Sequence, residues 1–309
     1  MSRGWRVADM PDQNGRTVVV TGPTIGGLGH QTALALARKG ARVVLAGRTP
    51  AKVEETAAAI RDQVPHAAIE SLHVDLASLG SVRRAAAAAD RLGAIDVLVN
   101  NAGVMAAPYS RTEDGLELQM ATNHFGPFLL TGLLLPQLAK SGDGRVVTVS
   151  SLMHTTARKA PLGDPREQEG RYFRWSVYGQ SKLANLLFTS ELDRRLRVAD
   201  EPVRALAAHP GFAGSHLVVN GQVGRASGGI ASILDAAVKA VSQSVEAGAW
   251  PSLMAATEDL PGDTYCGPGG PWQYGGAPQV VGRSRLARDT VAAARLWEIS
   301  EETVGLQYP

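Results

Sequence analysis

Short runs of β-branched and other apolar residues alternate along the chain with longer segments in which apolar residues recur at helical spacing. Runs such as VVVT and VLVN are apolar at consecutive positions, which is typical of strands buried on both faces. The order strand, helix, strand predicts an α/β fold, a doubly wound parallel sheet with helices on both faces. The predicted strands lie at 17–21, 42–46, 68–74, 97–100, 145–150 and 203–209. The predicted helices lie at 29–39, 50–63, 79–91, 116–138 and 177–196.

The last third of the chain is less regular. Residues 211–230 are rich in Gly, Ser and Val and predict a flap over a pocket. A helix is predicted at 231–246, an irregular Gly- and Pro-rich segment at 260–282, and a last helix at 284–303. Because no linker-like change of composition divides the chain, we expect a single domain over 1–309, with 1–14 as an N-terminal extension.

Composition and charge narrow the class of protein. The chain has 309 residues, 44% hydrophobic and 19% charged, which excludes a disordered chain. A net charge of +2 excludes a general nucleic-acid or membrane-surface binder, so a small-molecule partner is predicted. The longest apolar tracts contain Gly and Pro, so no membrane span and no secretory signal are predicted. The single cysteine, Cys266, excludes an intramolecular disulfide and favours a reducing compartment, the cytoplasm.

A glycine-rich loop, TGPTIGGLG, stands directly between the first predicted strand and the first predicted helix. Glycines let the backbone approach a pyrophosphate closely, and the free N–H groups of the helix N-terminus stabilise its charge. A plain tight turn is the alternative for a glycine cluster alone. The complete strand, loop, helix and second strand favour a Rossmann-type dinucleotide-binding half at about 15–110, with Gly22, Gly27 and Gly29 at the cofactor.

The residue after the second strand discriminates between the two nicotinamide cofactors. A carboxylate there would accept hydrogen bonds from the adenosine ribose and repel a 2′-phosphate, but this strand ends in Gly47 and Arg48. A guanidinium suits a phosphate, so NADP(H) is predicted rather than NAD(H). A solvated surface arginine is the alternative. Asp75, after the third strand, is predicted either to accept from the adenine amino group or to cap the following helix.

Tyr178 and Lys182 lie four residues apart in a predicted helix, so their side chains share one face. An ammonium beside a phenol favours the phenolate and is expected to lower the pKa of the tyrosine. A surface pair is the alternative for this spacing alone. Two hydroxyls, Ser150 and Ser151, end the fifth strand at the sheet edge where ligands bind. Asn123 lies in an otherwise apolar helix and therefore needs a buried partner.

Taken in order, these motifs resemble those of the short-chain dehydrogenase/reductase family over about residues 15–300. The matching motifs are the glycine loop, VDL, NNAG, Asn123, Ser151, the sequence from Tyr178 to Lys182, and HPG at 209–211. The segments GARVVLAGR, RVVTVSSLMH and YGQSKLANLLF further resemble the retinol-dehydrogenase-like and protochlorophyllide-reductase-like branch. Residues 111–300 would then form the catalytic half.

The resemblance implies a role for each matching residue. Tyr178 would protonate the carbonyl oxygen of the substrate, or act as the base in the reverse direction, and Lys182 would tune Tyr178 and bind the nicotinamide ribose. Ser151, rather than Ser150, would bind the carbonyl, and Asn123 would hold a water chain that resupplies the proton. The remaining cofactor-binding positions implied are Leu28, Leu76, Asn101, Ala102, Gly103, Pro210 and Gly211.

The predicted function is an NADP(H)-dependent oxidoreductase that interconverts an apolar alcohol and its aldehyde or ketone. Four residues, Pro23 to Gly26, separate Gly22 from Gly27, which is one more than the family usually has, and Pro23 removes an N–H donor from the loop. The alternatives are a catalytically silent protein that senses NADP(H), an interaction scaffold that has lost the cofactor, and a light-dependent reductase using Cys266. The two long apolar helices favour a homodimer or homotetramer, by analogy with the family. His124, His154 and His209 lack the spacing of a metal site.

Overall fold

The computed structural model describes residues 4–166, 171–212 and 243–309. Within these residues eight strands form one sheet in the order β3-β2-β1-β4-β5-β6-β7-β8. Strands β1 to β7 are parallel to their neighbours, and β8 pairs antiparallel with β7. The strands are β1 Thr17–Thr21, β2 Arg42–Gly47, β3 Ile69–His73, β4 Val97–Asn100, β5 Gly144–Val149, β6 Val203–Ala208, β7 Tyr265–Pro268 and β8 Pro278–Val280.

The helices cover both faces of this sheet. The helix that begins at Gly126 follows a short α-helical turn, Leu118–Met120, and a π-helical turn, Ala121–Phe125. The helices are α1 Leu28–Arg38, α2 Pro50–Gln63, α3 Leu79–Ala89, α4 Gly126–Ala139, α5 Arg174–Val198, α6 Val245–Thr257 and α7 Thr290–Val304. The prediction of a doubly wound, Rossmann-type α/β fold is confirmed.

Alternating strand residues serve two separate cores. Val18 and Val20 of β1 pack with α1, α2 and α6, whereas Val19 packs on the opposite face with α3, α4, α5 and α7. Every position of β1, β4 and β5 is buried, as the apolar runs VVVT in β1 and VLVN in β4 predict for those two strands. Since both faces are covered, binding groups have to gather at an end of the sheet rather than on a face.

The C-terminal third differs from the sequence prediction. The segment predicted to be irregular, 260–282, contributes β7 and β8, because pairing of Tyr265 with Ala207 extends the sheet beyond β6. Helix α6 begins at Val245, so it shares two residues with the helix predicted at 231–246, whose residues before 243 lie outside the described part of the chain. Its pattern is obscured by Gly248 and Pro251, which are both unfavourable in a helix interior.

Helix α7 and the C-terminal tail cover α4 and α5. The indole of Trp297 stacks on Phe188 with ring centroids 6.0 Å apart, and the ring of Tyr308 lies 4.9 Å from that of Phe128. Every side chain at positions 181–189 of α5 is buried. Part of the apolar surface of α4 and α5 that suggested a homodimer or homotetramer is therefore covered within the chain, and the oligomeric state stays a prediction.

Candidate functional site

The residues predicted to act together follow four neighbouring strands. The glycine loop follows β1, Asn101 to Gly103 follow β4, Ser150 and Ser151 follow β5, and Pro210 and Gly211 follow β6. These strands are adjacent and parallel, so their carboxyl ends lie along one edge of the sheet. The structure thus brings the predicted groups to the edge where open α/β sheets bind ligands.

The glycine loop packs closely on the segment that follows β4. Gly22 has φ +66°, and a Cβ on it would lie 2.9 Å from the Cα of Ala102. A Cβ on Gly29 would lie 2.5 Å from both the carbonyl oxygen of Gly22 and Nδ2 of Asn101. Only glycine fits at these two positions, in accord with the predicted assignment of Gly29 as the last glycine of the loop.

The additional residue of the loop is accommodated by a tight turn. The N–H of Gly27 donates to the carbonyl of Thr24 over 2.9 Å, while Pro23 is buried beside Gly47. Helix α1 begins immediately afterwards at Leu28, and no side chain of the described residues caps its N-terminus. The N–H groups at this helix end remain available for an anion.

Asn101 links the glycine loop to β4. Its Nδ2 donates to the carbonyls of Thr21, over 2.7 Å, and Gly22, over 3.2 Å. The Thr21 hydroxyl accepts from the backbone N–H groups of Asn101 and Ala102, each over 3.0 Å. These bonds fix the glycine loop and the segment after β4 relative to each other. Thr21, which we did not predict, is a polar residue at the end of a buried strand, and that position could have identified it.

Arg48 and Asp75 lie at the ends of the next two strands. The guanidinium of Arg48 is exposed and forms no hydrogen bond or ion pair within the described ranges. Oδ1 of Asp75 accepts from the N–H of Ala77 over 3.0 Å, whereas the cap of α3 is Ser78, whose hydroxyl accepts from the N–H of Ser81. The alternative that Asp75 caps this helix is therefore wrong. Leu76 is buried, and its backbone packs against Gly126 at the start of α4.

Tyr178 and Lys182 are both buried on the first half of α5. Nζ of Lys182 lies 5.8 Å from the centre of the Tyr178 ring and donates to the carbonyl of Val149 over 3.0 Å. Burial raises the pKa of Tyr178 to about 12, although the neighbouring Ser151 hydroxyl opposes the increase, and burial lowers the pKa of Lys182 to about 8. The expected lowering of the tyrosine pKa is therefore wrong for the ligand-free chain, because desolvation outweighs the ammonium above the ring.

The two serines after β5 have different environments. The hydroxyl of Ser150 is buried and donates to the carbonyl of Lys182 over 2.7 Å. The hydroxyl of Ser151 is partly exposed, lies beside Tyr178 and accepts from the N–H of Met153 over 3.2 Å. Ser150 thus connects β5 to α5, and Ser151 is the hydroxyl that faces the site with Tyr178.

Asn123 has the buried partners that its position requires. Its side chain accepts from the N–H of Val104 over 2.7 Å and donates to the carbonyl of Val104 and the hydroxyl of Ser181, each over 2.9 Å. The π-helical turn gives this residue its position beside the segment after β4. A Cβ on Gly103 would lie 3.0 Å from Oδ1 of Asn123 and 3.5 Å from Nζ of Lys182. Asn123, Gly103 and Lys182 are therefore neighbours.

Pro210 and Gly211 continue β6 at the same edge. Gly211 has φ +66° and is enclosed by Pro268 and the carbonyls of Gln273 and Tyr274. The predicted flap at 211–230 lies outside the described residues from 213 onward. Phe212 and Gln243, which border the undescribed segment, are joined by a 3.0 Å hydrogen bond from the N–H of Gln243 to the carbonyl of Phe212.

Two exposed aromatic side chains, Phe173 and Trp175, lie at the start of α5. The ring of Trp175 is 42% exposed and meets the Tyr178 ring edge-on, with centroids 6.3 Å apart. Phe173 is 60% exposed. Neither residue was singled out from the sequence, since exposed aromatics near a helix start carry no distinctive pattern.

The observed geometry fits a nicotinamide dinucleotide. The loop leaves no room for side chains at Gly22 and Gly29, the N-terminus of α1 lacks a side-chain cap among the described residues, and Arg48 is unpaired within them. Close backbone approach, free N–H donors and a cation suit a pyrophosphate and a further phosphate. Tyr178, Ser151 and Lys182 lie near the carboxyl end of β5, at the same edge of the sheet.

Comparisons with known proteins identify the family of this chain. Residues 16–162 match the family described as short chain dehydrogenase. Human retinol dehydrogenase 13 is 38% identical over 300 residues, which cover 96% of this chain and 86% of that protein. A solved structure from Mycobacterium paratuberculosis is 44% identical and has a TM-score of 0.82. The match covers 99% of this chain and 100% of that one.

A second solved structure comes from Beutenbergia cavernae and is described as an NAD(P)-dependent gluconate 5-dehydrogenase with NADP bound at low occupancy. It is 25% identical, has a TM-score of 0.59, and the match covers 80% of this chain and 91% of that one. Among the described residues, no helix has the length and apolarity needed to cross a membrane. The sequence match to retinol dehydrogenases extends over nearly the whole chain, and the chain belongs to the short-chain dehydrogenase/reductase family, in its retinol-dehydrogenase-like branch.

Proposed function

We propose that this oxidoreductase uses NADP(H) to interconvert an apolar alcohol and its aldehyde or ketone. The observation that carries the proposal is the position of Ser151 beside Tyr178, with Lys182 over the tyrosine ring, at the sheet edge that also holds the glycine loop. When bound, the nicotinamide supplies or accepts the hydride. The side chains supply and accept the proton and hold the carbonyl oxygen.

Tyr178 is the proton donor for carbonyl reduction. Because burial raises its pKa to about 12, the side chain is a phenol at neutral pH and holds the proton that the developing alkoxide needs. The Ser151 hydroxyl donates to the same oxygen and stabilises its charge. For alcohol oxidation Tyr178 acts as the base, and the Lys182 ammonium stabilises the phenolate through the ring that it covers.

Proton resupply passes through Lys182 in this proposal. Its Nζ uses one of three N–H bonds on Val149, so others can donate to a cofactor hydroxyl or to water. Asn123 holds the nearby turn through Val104 and Ser181, and both amide N–H bonds are used there. We therefore assign the Asn123 side chain to holding the segment after β4 beside Lys182. A water chain has no free N–H donor in this side chain.

NADP(H) is preferred because of Arg48. The strand-end position has no carboxylate to repel a 2′-phosphate, and the exposed guanidinium is unpaired within the described residues. Leu28, Leu76, Asn101, Ala102, Pro210 and Gly211 line the rest of the proposed cofactor cleft. The NADP bound to the Beutenbergia cavernae relative supports the same choice.

The proposal of an apolar substrate rests on aromatic side chains close to the predicted site residues. Trp175 lies against Tyr178. Phe173, two residues before Trp175, and Phe212, two residues after Pro210, are both exposed. Such side chains favour contact with hydrocarbon rather than with a charged metabolite. The retinol dehydrogenases among the relatives act, by their names, on an apolar alcohol.

The alternatives have less support. A silent NADP(H) sensor would not need Tyr178, Ser151 and Lys182 to be in contact range of one another. Light-dependent chemistry through Cys266 is disfavoured because the thiol is buried in β7, where burial raises its pKa to about 12. A buried free thiol is compatible with the cytoplasm as the proposed compartment.

Turnover of NADPH with a panel of aldehydes and ketones tests the proposal. We expect oxidation of NADPH that increases with the hydrocarbon character of the carbonyl compound. Tyr178→Phe is expected to lower kcat about 10²- to 10⁴-fold while NADPH binding is retained, since it removes only the proton donor. Binding of NADPH without turnover of any carbonyl compound would favour the silent sensor instead.

A further inference from the structure

The turn after β7 contains two consecutive non-glycine residues in the left-handed region, Trp272 with φ +51° and Gln273 with φ +60°. Such conformations are strained and persist only where surrounding contacts hold them. The Trp272 side chain is 80% exposed, so it does not hold the turn. The Gln273 side chain is the part of the turn that reaches a buried group, Nε2 of His209, over 2.9 Å.

His209 is fully buried at the end of β6, and both of its ring nitrogens have partners. Nδ1 accepts from the N–H of Gly211 over 3.1 Å, so Nε2 carries the proton and donates to Oε1 of Gln273. Burial lowers the pKa of His209 to about 4, which keeps the ring neutral. A neutral ring is required, because an imidazolium would have no lone pair to accept from Gly211.

The same turn contacts the rest of the segment at 210–212. The carbonyl of Tyr274 accepts from the N–H of Phe212 over 2.8 Å, and the carbonyls of Gln273 and Tyr274 enclose Gly211. On the other side, Nε2 of Gln243 donates to the carbonyl of Pro210 over 2.6 Å. The segment is therefore held mainly by residues that lie far from it in the sequence.

We propose that Gln273, acting through His209, is a positioning residue that sets the conformation of Pro210 and Gly211 at the nicotinamide end of the cofactor cleft. This inference rests on the proposed use of NADP(H). The strained turn thereby has a function. It carries Oε1 of Gln273, which accepts from Nε2 of His209 and so fixes the tautomer of the ring. In that tautomer Nδ1 accepts from the backbone N–H of Gly211 and holds it in place.

The neighbours of His209 leave Gln273 as the acceptor that selects this tautomer. The Tyr265 ring of β7 lies 5.1 Å away, and Gly267 of the same strand packs directly on the imidazole. His154, after β5, contacts the other side of Tyr265, and Arg283 lies over that ring at 5.8 Å. These groups do not hydrogen bond with the His209 ring, and His154 and Arg283 have their own partners in Ser284 and Asp263.

The first test uses the ligand-free protein and the ring nitrogens of His209. In ¹⁵N-histidine NMR spectra we expect the wild type to show Nε2 protonated and Nδ1 unprotonated. In Gln273→Leu we expect loss of that fixed tautomer and faster exchange of the Gly211 amide, by about three- to tenfold, which corresponds to one hydrogen bond. Gln307→Leu is the matched control, because Gln307 is an exposed glutamine on the C-terminal tail. An Nδ1-protonated wild type, or unchanged Gly211 exchange in Gln273→Leu, would overturn the proposal.

The second test separates positioning from a general structural effect. We expect Gln273→Leu to weaken NADPH binding about three- to tenfold and to leave binding of 2′-phospho-ADP-ribose, which lacks the nicotinamide, unchanged. Equal weakening of both ligands would assign Gln273 a structural role and overturn the proposal. If the wild type bound neither ligand, the proposed function would fail, whereas the tautomer measurement would still decide the relationship between Gln273 and His209.

Gln273→Glu gives a pH readout that a packing role would not produce. A carboxylate at Nε2 favours the imidazolium, which cannot accept from Gly211. We expect NADPH affinity of this variant to be near that of the wild type at pH 8 and to fall at pH 6, while the wild type stays constant over the same range. A variant with the pH dependence of the wild type would contradict the proposed tautomer selection.

Discussion

The hydroxyl of Ser150 donates a 2.7 Å hydrogen bond to the backbone carbonyl of Lys182, whereas the hydroxyl of the next residue, Ser151, lies beside Tyr178. One serine therefore fixes the catalytic helix to the sheet, and the other serine contacts the tyrosine. These two adjacent residues just after β5 have different environments, because Ser150 is buried and Ser151 is partly exposed.

Substitution of the two serines is expected to have opposite effects. Ser150→Ala removes a buried hydrogen bond and should lower the free energy of unfolding by about 1–2 kcal/mol, with a small effect on kcat. Ser151→Ala should leave the stability within about 0.5 kcal/mol and lower kcat roughly 10²- to 10³-fold. Urea unfolding and steady-state kinetics on both variants check this. The assignment would be reversed if Ser150→Ala had the larger effect on kcat.

Arg48→Gln should change cofactor selectivity without unfolding the protein. The guanidinium is exposed, so its loss removes a phosphate contact and no core packing. A charge-assisted hydrogen bond contributes about 1.5–3 kcal/mol, so NADPH binding is expected to weaken about 10- to 100-fold while NADH binding stays unchanged. Parallel titrations with the two cofactors measure this. Equal losses for NADPH and NADH would mean that Arg48 does not contact the 2′-phosphate.

The pH dependence of carbonyl reduction should follow Lys182. Its pKa is lowered to about 8, so the ammonium is present below pH 8 and is lost as the pH rises above it, whereas Tyr178, at about 12, keeps its proton throughout. We expect kcat for reduction to be constant from pH 6 to about 7.5 and to fall at higher pH. A kcat that rises between pH 8 and 9.5 would contradict the role of the ammonium.

Trp272→Gly should stabilise the protein. The indole is exposed and its backbone is left-handed, so glycine removes the conformational strain at little cost in packing. We expect the midpoint of urea unfolding to rise, with a gain of about 1 kcal/mol, and NADPH affinity to stay the same. Val291→Gly is the comparison, since Val291 is also exposed but lies in α7, where glycine should destabilise.

The order of the strands and most helices could be predicted because local apolar runs and helical spacing both agree with the final packing. Strands β7 and β8 could not be predicted, since both are short and are stabilised by pairing, β7 with β6 and β8 with β7, rather than by their own pattern. The covering of α4 and α5 by the C-terminal part of the chain could not be predicted for a related reason. The sequence shows that α4 and α5 are apolar, but Trp297 and Tyr308, which cover them, lie more than a hundred residues away along the chain.

Motif spacing was sufficient to predict that Tyr178 and Lys182 share a helix face and that Asn123 needs a buried partner. The pKa of Tyr178 could not be predicted in this way, because it depends on burial by the whole fold. Gln273 had no local signal either. Its partner, His209, lies in the recognisable HPG motif, whereas Gln273 belongs to an irregular Gly- and Pro-rich segment.

Titration of the purified protein with NADPH and NADH, monitored by energy transfer from its tryptophans, tests the central claim most directly. The geometry of the glycine loop, the N-terminus of α1 and Arg48 predict saturable NADPH binding that is at least about tenfold tighter than NADH binding. Binding of neither cofactor would show that the additional residue between Gly22 and Gly27 has closed the phosphate site. Tighter binding of NADH would contradict the assignment of Arg48.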